Sequence, residues 1–469
     1  MNVGIVLACT ALAGLCVLRR LRFDWFIVAM VLAGTALCVD YLTYTQVSER
    51  NYDGPAHIVY IQSIAQHLRV PEAFACAACG HPPLYYALAA LWSKVVLVGG
   101  WMPLELGLQW FSLLLFSGFV VFALLILRSC DPRPATLRLA AALVVFWPSS
   151  IINSVRVHND ALASLLMLAA MYFIAQWDGH GRPRDFYAAL AASALALLTK
   201  STGYAVAATL LLFAALRLRS TGFPRESIDM ETLGGFPCLP AFWLRRAKPG
   251  YAIATRQGAT AILVLAAAAA LAVGFRDSRQ PRTLCQKVFG HACDGRYVPA
   301  VPDRPSRFVY FDVREFVRGS DTLVADPQRD YFLNRLAKSS LFGVIPLGEE
   351  LGGGRHQTLA VLLSLLLLAM VTVCIAALLF MRGVGWRKYR VYLGASAIMF
   401  IFLLAFRIRA PNEFHEDFRH IFPALVPFCL GYATIVERLG RFSKVLQHTG
   451  VAMGFLLVAS SVAFFVRIP

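Results

Sequence analysis

The chain has 469 residues, of which 58% are hydrophobic and 15% charged, against about 25% charged in an average soluble domain. That deficit excludes an ordinary soluble globular protein. The net charge of +17 would suit nucleic-acid binding. No basic patch interleaved with aromatics accompanies it, however, and Lys and Arg gathered in short cytoplasmic loops account for it.

Apolar runs of roughly 17–25 residues recur from end to end and predict about twelve spans. In chain order they are 1–18, 24–46, 105–128, 138–153, 160–177, 187–199, 201–216, 258–275, 357–381, 391–407, 421–436 and 451–467. The expected fold class is therefore all-α, a polytopic membrane protein forming a single integral membrane domain over 1–469. The first run is followed by "RRLRFDW". Positive charge after the apolar stretch is the reverse of a signal peptide and predicts a retained helix. The two runs flanking "LLTKSTGY" are short; they read as two spans or as one broken hairpin with Lys200 at its tip.

The loops "RRLR", "RSCDPRPATLR", "DGHGRPRD", "MRGVGWRKYR" and "ERLGRFSK" fall on one side of this threading, together with the loop 217–257. That side is cytoplasmic by the positive-inside rule. The opposite side carries two large segments, 47–104 and 276–356. Within the first, "PAHIVYIQSIAQHL" predicts a short amphipathic helix. Pro82 and Pro83 open a second, "LYYALAALWSKVVLVGG", that lies along the interface or dips into it. The Arg- and Ala-rich composition suits a bacterium, which would place the polar chemistry on the periplasmic face of an inner (plasma) membrane.

Ionisable groups at membrane depth are functional candidates by default. Asp53, in "NYDGPAHIVY", reads as a general base, a metal ligand or a helix N-cap, and His57 lies one helical turn further on the same face. "RVHNDALA" sets Arg156, His158, Asn159 and Asp160 at the start of a span. Asn159 and Asp160 are good caps, but four polar residues exceed what a cap needs, and Arg156 suits bidentate binding of a phosphate. Lys200 is either a snorkelling lysine or a point charge for a phosphate. "FRIRAPNEFHEDFRHIFP" supplies His415 and Arg419 just before a span, either as an interfacial charged loop or as an anion site. "FLNRLAKSSLFG" adds Lys338, and His81 and Tyr85 flank the second short helix. Cys76 and Cys79 stand in one outer segment, Cys285 and Cys293 in another. Structural disulfides suit an oxidising compartment, with a four-thiol zinc site as the alternative. No Walker loop, nucleotide fingerprint, HExxH or GxSxG is present.

Taken in order, "YDGPAHIVY…CGHPPLYYALAALW", "RVHNDALASLLMLAAMYFIAQW", "LLTKSTGY" and "DFRHIFPALVPF" resemble the motifs of GT-C superfamily glycosyltransferases. These include the protein O-mannosyltransferases and the aminoarabinose transferases of lipid A. The resemblance covers roughly residues 24–436. It implies a helical membrane fold, a polyprenyl-phosphate-sugar donor, and inverting transfer at the outer face to an acceptor protein, lipid or glycan among the membrane lipids. No nucleic acid is implied. It places Asp53 at the family's first acidic motif, with His57 and Asp160 assisting. Arg156, Lys200, Arg419 and Lys338 are assigned to the donor phosphate, and His81, Tyr85, Asn159 and His415 to substrate. The family pattern is usually Asp-Glu or Asp-Asp, whereas Gly54 follows Asp53 here. The expected site therefore includes no metal as an assigned part, and a divalent cation (Mg or Mn) is left open. His420 stands where Tyr is usual. Two other readings remain: a lipid or glycolipid flippase, disfavoured because polar residues gather at one face rather than at midplane, and a glycan ligase or polymerase.

Overall fold

The computed structural model describes residues 23–45, 53–72, 75–98, 102–130, 132–220, 249–274, 305–318, 331–343, 354–380, 388–409 and 416–466. The predicted span 1–18, most of the 217–257 loop, much of the 276–356 segment, Cys285, Cys293 and His415 lie outside the described residues.

Helix α1 (Trp25–Tyr44) begins where the Asp24 carboxylate accepts the Ile27 N–H at 2.9 Å, satisfying a donor that the first turn leaves open. Two short helices follow, α2 (Gly54–His67) and α3 (Leu84–Val98), as the sequence predicts for the first outer segment. The turn between them is closed by a Cys76–Cys79 disulfide with Cα atoms 5.1 Å apart. After α4 (Leu104–Ser129), the predicted span 138–153 is two pieces, α5 (Pro134–Phe146) and α6 (Pro148–Ser154), bent by 51°. Pro148 causes the bend: it has no N–H for the ladder, and its ring clashes with the preceding turn.

Next come α7 (Asp160–His180) and α8 (Pro183–Thr199). A 3-10 turn, Ser201–Gly203, leads into α9 (Tyr204–Ser220). At Gly203 a Cβ would lie 2.6 Å from the backbone of Ala196 and Leu197. Only glycine lets this turn fold back so tightly on α8, and the fold-back is what presents Lys200. The rest of the chain forms α10 (Pro249–Gly274), the short α11 (Ser306–Val309) and α12 (Val313–Arg318), α13 (Phe332–Phe342), α14 (Gly354–Phe380) and α15 (Arg390–Arg409). A 3-10 segment, Phe418–Ala424, then runs into α16 (Leu425–Leu439), followed by α17 (Lys444–Phe465).

The described residues are helical, with no strand among them, in agreement with the all-α expectation. Among the described residues eight helices are long and apolar enough to cross a membrane, nine if the bent pair is one span. The sequence threading has about twelve. The difference lies in the span outside the described residues, in α8 with its 17 residues, and in α10, whose apolar part is Gln257–Ala272.

Packing between spans cannot rely on the hydrophobic effect, because lipid tails are as apolar as Leu, so close van der Waals fit carries it. Gly450 and Gly454, four apart on α17, illustrate this: a Cβ there would come within 2.7 Å of Val436 and 2.8 Å of Leu139 respectively. The Tyr432 hydroxyl donates to the bared Gly450 carbonyl at 2.7 Å. A separate apolar cluster fixes α2 and α3 against α4 through Ile61, Tyr60, Tyr85, Tyr86, Cys79 and Phe111. Trp147, buried at the α5–α6 bend, donates its indole N–H to the Ser340 carbonyl on α13 at 2.6 Å. These contacts bring the start of α2, the start of α7, the end of α8 and the 3-10 segment before α16 to one place.

Candidate active site

Asp53 occupies the cap position of α2, yet its side chain makes no capping bond. The sequence explains why. A capping side chain aims at the N–H of the second or third helical residue, and the second is Pro55, which has none. The carboxylate turns instead to Arg419, whose Nη1 donates to Asp53 Oδ2 at 3.0 Å. Asp53 Oδ1 is buried without a hydrogen-bond partner among the described residues. His57, one turn along α2, places Nε2 3.7 Å from Asp53 Oδ2. Its Nδ1 lies 2.8 Å from the Tyr86 hydroxyl. With Tyr86 donating, the tautomer is set so that Nε2–H faces Asp53.

Arg419 is the hub. Its Nε lies 3.0 Å from Asp417 Oδ2 and 3.7 Å from Asp160 Oδ2. Asp417 also accepts the Arg419 backbone N–H at 3.0 Å, so one carboxylate caps the 3-10 segment and aims the guanidinium. Asp160, at the first turn of α7, has the favourable end of a helix dipole and is bonded by the Lys200 ammonium. Lys200 Nζ is also 3.3 Å from His420 Nδ1. Asn159 donates to the Thr199 carbonyl at 3.4 Å, which ties the α7 start to the residue before Lys200. Arg156 is fully buried between α6 and α7, close enough for its charge to act on Asp53, His158 and Asp417.

Burial alone would raise the Asp53 carboxyl. The Arg419 charge, then the hydrogen bond and charge of His57, then Arg156, outweigh it and hold Asp53 well below the usual carboxylate range. Asp53 is therefore ionised throughout the working pH range. Burial, helped by Arg156 and Arg419, holds His158 well below the usual imidazole value against the pull of Asp160 and Asp53, so it is neutral. Burial raises Asp417 despite Arg419 and Arg156.

The structure thus brings together Asp53, His57, Asp160, Arg156, Lys200 and Arg419 from four separate stretches. His81 stands beside them, its ring 6.1 Å from that of His57 and its carbonyl accepting from Tyr60 at 3.3 Å. Tyr85 is fully buried and packs edge-on against Tyr86 at 5.3 Å, behind the His57 partner. Lys338 donates to the Phe316 carbonyl at 2.7 Å between the rings of Phe316 and Phe342. Its helix still reaches the site through Ser339, whose Oγ accepts the Phe418 N–H at 2.9 Å. Asp417, His158 and His420 belong to the group, although the sequence gives them no separate role. Sequence alone does not mark Tyr86 as a site residue. "PPLYY" offers two tyrosines, and only the phase of α3 against α2 selects the second. Asn153, on α6, carried no sequence signal.

Among the described residues no three His, Cys, Asp or Glu side chains are arranged to hold a metal ion. Asp53, Asp160 and Asp417 are each engaged by Arg419 or Lys200. This donor set does not fit a divalent cation. Beside Asp160 and Arg419 lies a void of about 10 Å³, also bounded by Asn153, His158, Phe119 and Phe422.

Fold and site define a class, a multi-pass helical membrane protein with a charged cluster at the meeting point of its short helices and span ends. Residues 99–228, a stretch that includes Arg156, Asp160 and Lys200, match the family of dolichyl-phosphate-mannose-protein mannosyltransferases. Two solved structures from Archaeoglobus fulgidus are similar to the chain. One is the oligosaccharyltransferase AglB in complex with an inhibitory peptide and a dolichol-phosphate, at 12% identity and a TM-score of 0.46, covering 94% of this chain and 55% of that one. The other is an apo oligosaccharyltransferase, at 13% identity and a TM-score of 0.46, covering 94% and 57%. The chain spans little more than half the length of either. No curated protein matches it.

Proposed function

We propose that the protein is an inverting glycosyltransferase. It moves a sugar from a polyprenyl-phosphate-linked donor to a hydroxyl or amine of a protein, lipid or glycan acceptor, at the periplasmic face of a bacterial inner membrane. The observation that carries this reading is the division of labour at Asp53. Oδ2 is fixed by Arg419, and Oδ1 is buried without a hydrogen-bond partner among the described residues, beside three cations. The family matched over residues 99–228 is named for a dolichyl-phosphate sugar donor, which supports the same donor class here.

In this mechanism the acceptor O–H donates to Asp53 Oδ1 and is aligned for attack on the anomeric carbon. The acceptor oxygen–carbon bond forms as the carbon–phosphate oxygen bond breaks on the opposite face. The electron pair stays on the phosphate, and the acceptor proton passes to Asp53. A carboxylate held ionised by Arg419 is a weak base. It suffices because the acceptor is acidified as its new bond forms. Positive charge is needed where the leaving phosphate develops negative charge. Lys200 spends two of its three N–H groups on Asp160 and His420, which leaves one for a phosphate oxygen. Arg156 and Arg419 supply the planar donors.

The test is Asp53→Asn in purified protein, reading polyprenyl phosphate released from a lipid-linked sugar. A positioned base is worth about 100- to 10,000-fold, so the variant loses at least about 100-fold while inserting into the membrane normally. Near-normal release removes Asp53 from the mechanism. A wild-type protein that moves the donor across a vesicle membrane without cleaving it is a flippase instead.

A further inference from the structure

Asp160 meets more basic groups than a helix start requires. It opens α7 and is only 4% exposed. Its Oδ1 accepts from the Lys200 ammonium, and His420 Nδ1 lies 3.9 Å from the same oxygen. Its Oδ2 lies 3.5 Å from His158 Nδ1 and 3.7 Å from Arg419 Nε. The N-terminal end of a helix already favours a carboxylate and needs no such partners. A counter-ion for the buried Lys200 explains Oδ1. It does not explain why Oδ2 turns towards Arg419, which Asp53 and Asp417 already engage. Two oxygens with basic nitrogens on both sides are the surroundings that a phosphate asks for.

The charge count gives this placement a consequence. Asp53, Asp160 and Asp417 stand against Arg156, Lys200 and Arg419. With its carboxyls ionised the group is balanced before a substrate arrives. On the glycosyl-transfer reading above, the donor is a phosphodiester with one negative charge. The product is a phosphomonoester, which loses its second proton at about pH 6 and so carries nearly two. Cations that stabilise the departing phosphate then hold the product harder than the donor, unless something competes for them. Slow product release is a common limit on turnover.

We propose that Asp160 is the resident competitor for the phosphate, a positioning residue that acts through Lys200. The N–H that Lys200 gives to Asp160 is withheld from the phosphate. The fixed charge of Asp160 beside Arg419 also disfavours the second charge that the product gains. Asp160 therefore keeps the monoester from binding more tightly than the diester, and bond formation stays with Asp53.

The experiment uses the full chain in lipid nanodiscs and two probes that the protein does not cleave, polyprenyl phosphate and its methyl ester, which keeps a single charge. Displacement of radiolabelled polyprenyl phosphate gives a Kd for each. In the wild type the two values agree within about 3-fold, whereas in Asp160→Asn the phosphate gains at least about 10-fold over the ester, the worth of one bond to a charged group. A structural role alone cannot produce this gain, because a damaged site loses affinity. Donor KM and kcat both fall in the same variant as release slows. A wild type that prefers the phosphate by more than about 3-fold, or a folded Asp160→Asn protein whose preference rises by less than about 10-fold, overturns the proposal. The wild-type comparison needs no variant, so a folding failure in Asp160→Asn leaves the test intact. Binding of neither probe by the wild type overturns the glycosyl-transfer reading as well, an outcome distinct from binding both with the wrong preference.

Discussion

Replacing Arg419 by Gln isolates the electrostatic core of the site. The change keeps most of the side-chain volume and removes the charge that Asp53 meets at 3.0 Å. At an effective dielectric near 20, unit charges about 3 Å apart attract by about 5 kcal/mol. Asp53 is 24% exposed, and screening by that water leaves roughly half of this, about 2–3 kcal/mol. In the wild-type protein Arg419 holds Asp53 below the usual carboxylate range against burial. In Arg419→Gln burial is opposed only by His57 and Arg156, and the carboxyl titrates at higher pH than in the wild type.

Two measurements follow. The acid limb of donor cleavage lies at higher pH in Arg419→Gln than in the wild type, because Asp53 takes up its proton sooner on acidification. Thermal stability reads the same coupling. A depressed carboxyl stabilises the wild-type fold above its unfolded value near pH 4, and that stability is lost as pH falls through the folded value. Without Arg419 this contribution is smaller, so the melting temperature of Arg419→Gln is lower at neutral pH and falls less than that of the wild type on acidification. Identical acid limbs in the two proteins would refute the claim that Arg419 sets the charge of Asp53.

Gly203→Ala forces a Cβ to within 2.6 Å of the α8 backbone, which cannot yield as a flexible side chain would. The expected cost is at least about 1–3 kcal/mol, seen as a lower melting temperature. Donor cleavage falls further than stability does, because the same turn presents Lys200. Replacing Cys76 and Cys79 together by Ser removes a short closed loop worth about 2 kcal/mol in the chain-entropy account. Since Cys79 lies in the cluster that carries Tyr60 and Tyr86, the variant also loses donor cleavage, and dithiothreitol reproduces the loss in the wild-type protein but adds nothing to the double variant.

The sequence was most informative where one periodicity or one punctuating residue decides the outcome. The runs 24–46, 105–128 and 160–177 lie within a few residues of α1, α4 and α7, because an apolar run of that length has one structure open to it in a membrane. The two short helices of the first segment were marked by "DGPAH" and by Pro82 and Pro83. The bend at Pro148 and the fold-back at Gly203 were present as letters, but their size depends on what packs behind them. Site membership divided the same way. Asp53, Asp160, Lys200 and Arg419 are costly residues at span ends and drew attention alone. Asn153 is an ordinary helix residue whose place at the site shows only beside Phe119 and Phe422, far away in the chain. Lys338 looks as exposed to chemistry in sequence as Lys200 does, yet a carbonyl and two rings hold it.

The energetics of the cluster bear on why it exists. Taking charges out of water costs several kcal/mol each, and a buried pair often does no better than apolar residues of the same size. A bundle held by Gly450, Gly454 and the Trp147 contact gains little from gathering Asp53, Asp160, Asp417, Arg419 and Lys200 in one buried place. The arrangement is also uneven in a way that stability alone would not favour. Arg419 serves three carboxylates through one guanidinium, Asp53 leaves an oxygen unpaired, and Lys200 holds an N–H in reserve. A purely structural network would close these valences, since each open one costs free energy. Their common location, at the meeting point of α2, α7, α8 and the segment before α16, is where a charged headgroup reaching the chain from the lipid would complete them. On the glycosyl-transfer reading proposed above, the open valences are the part of the site that substrate supplies.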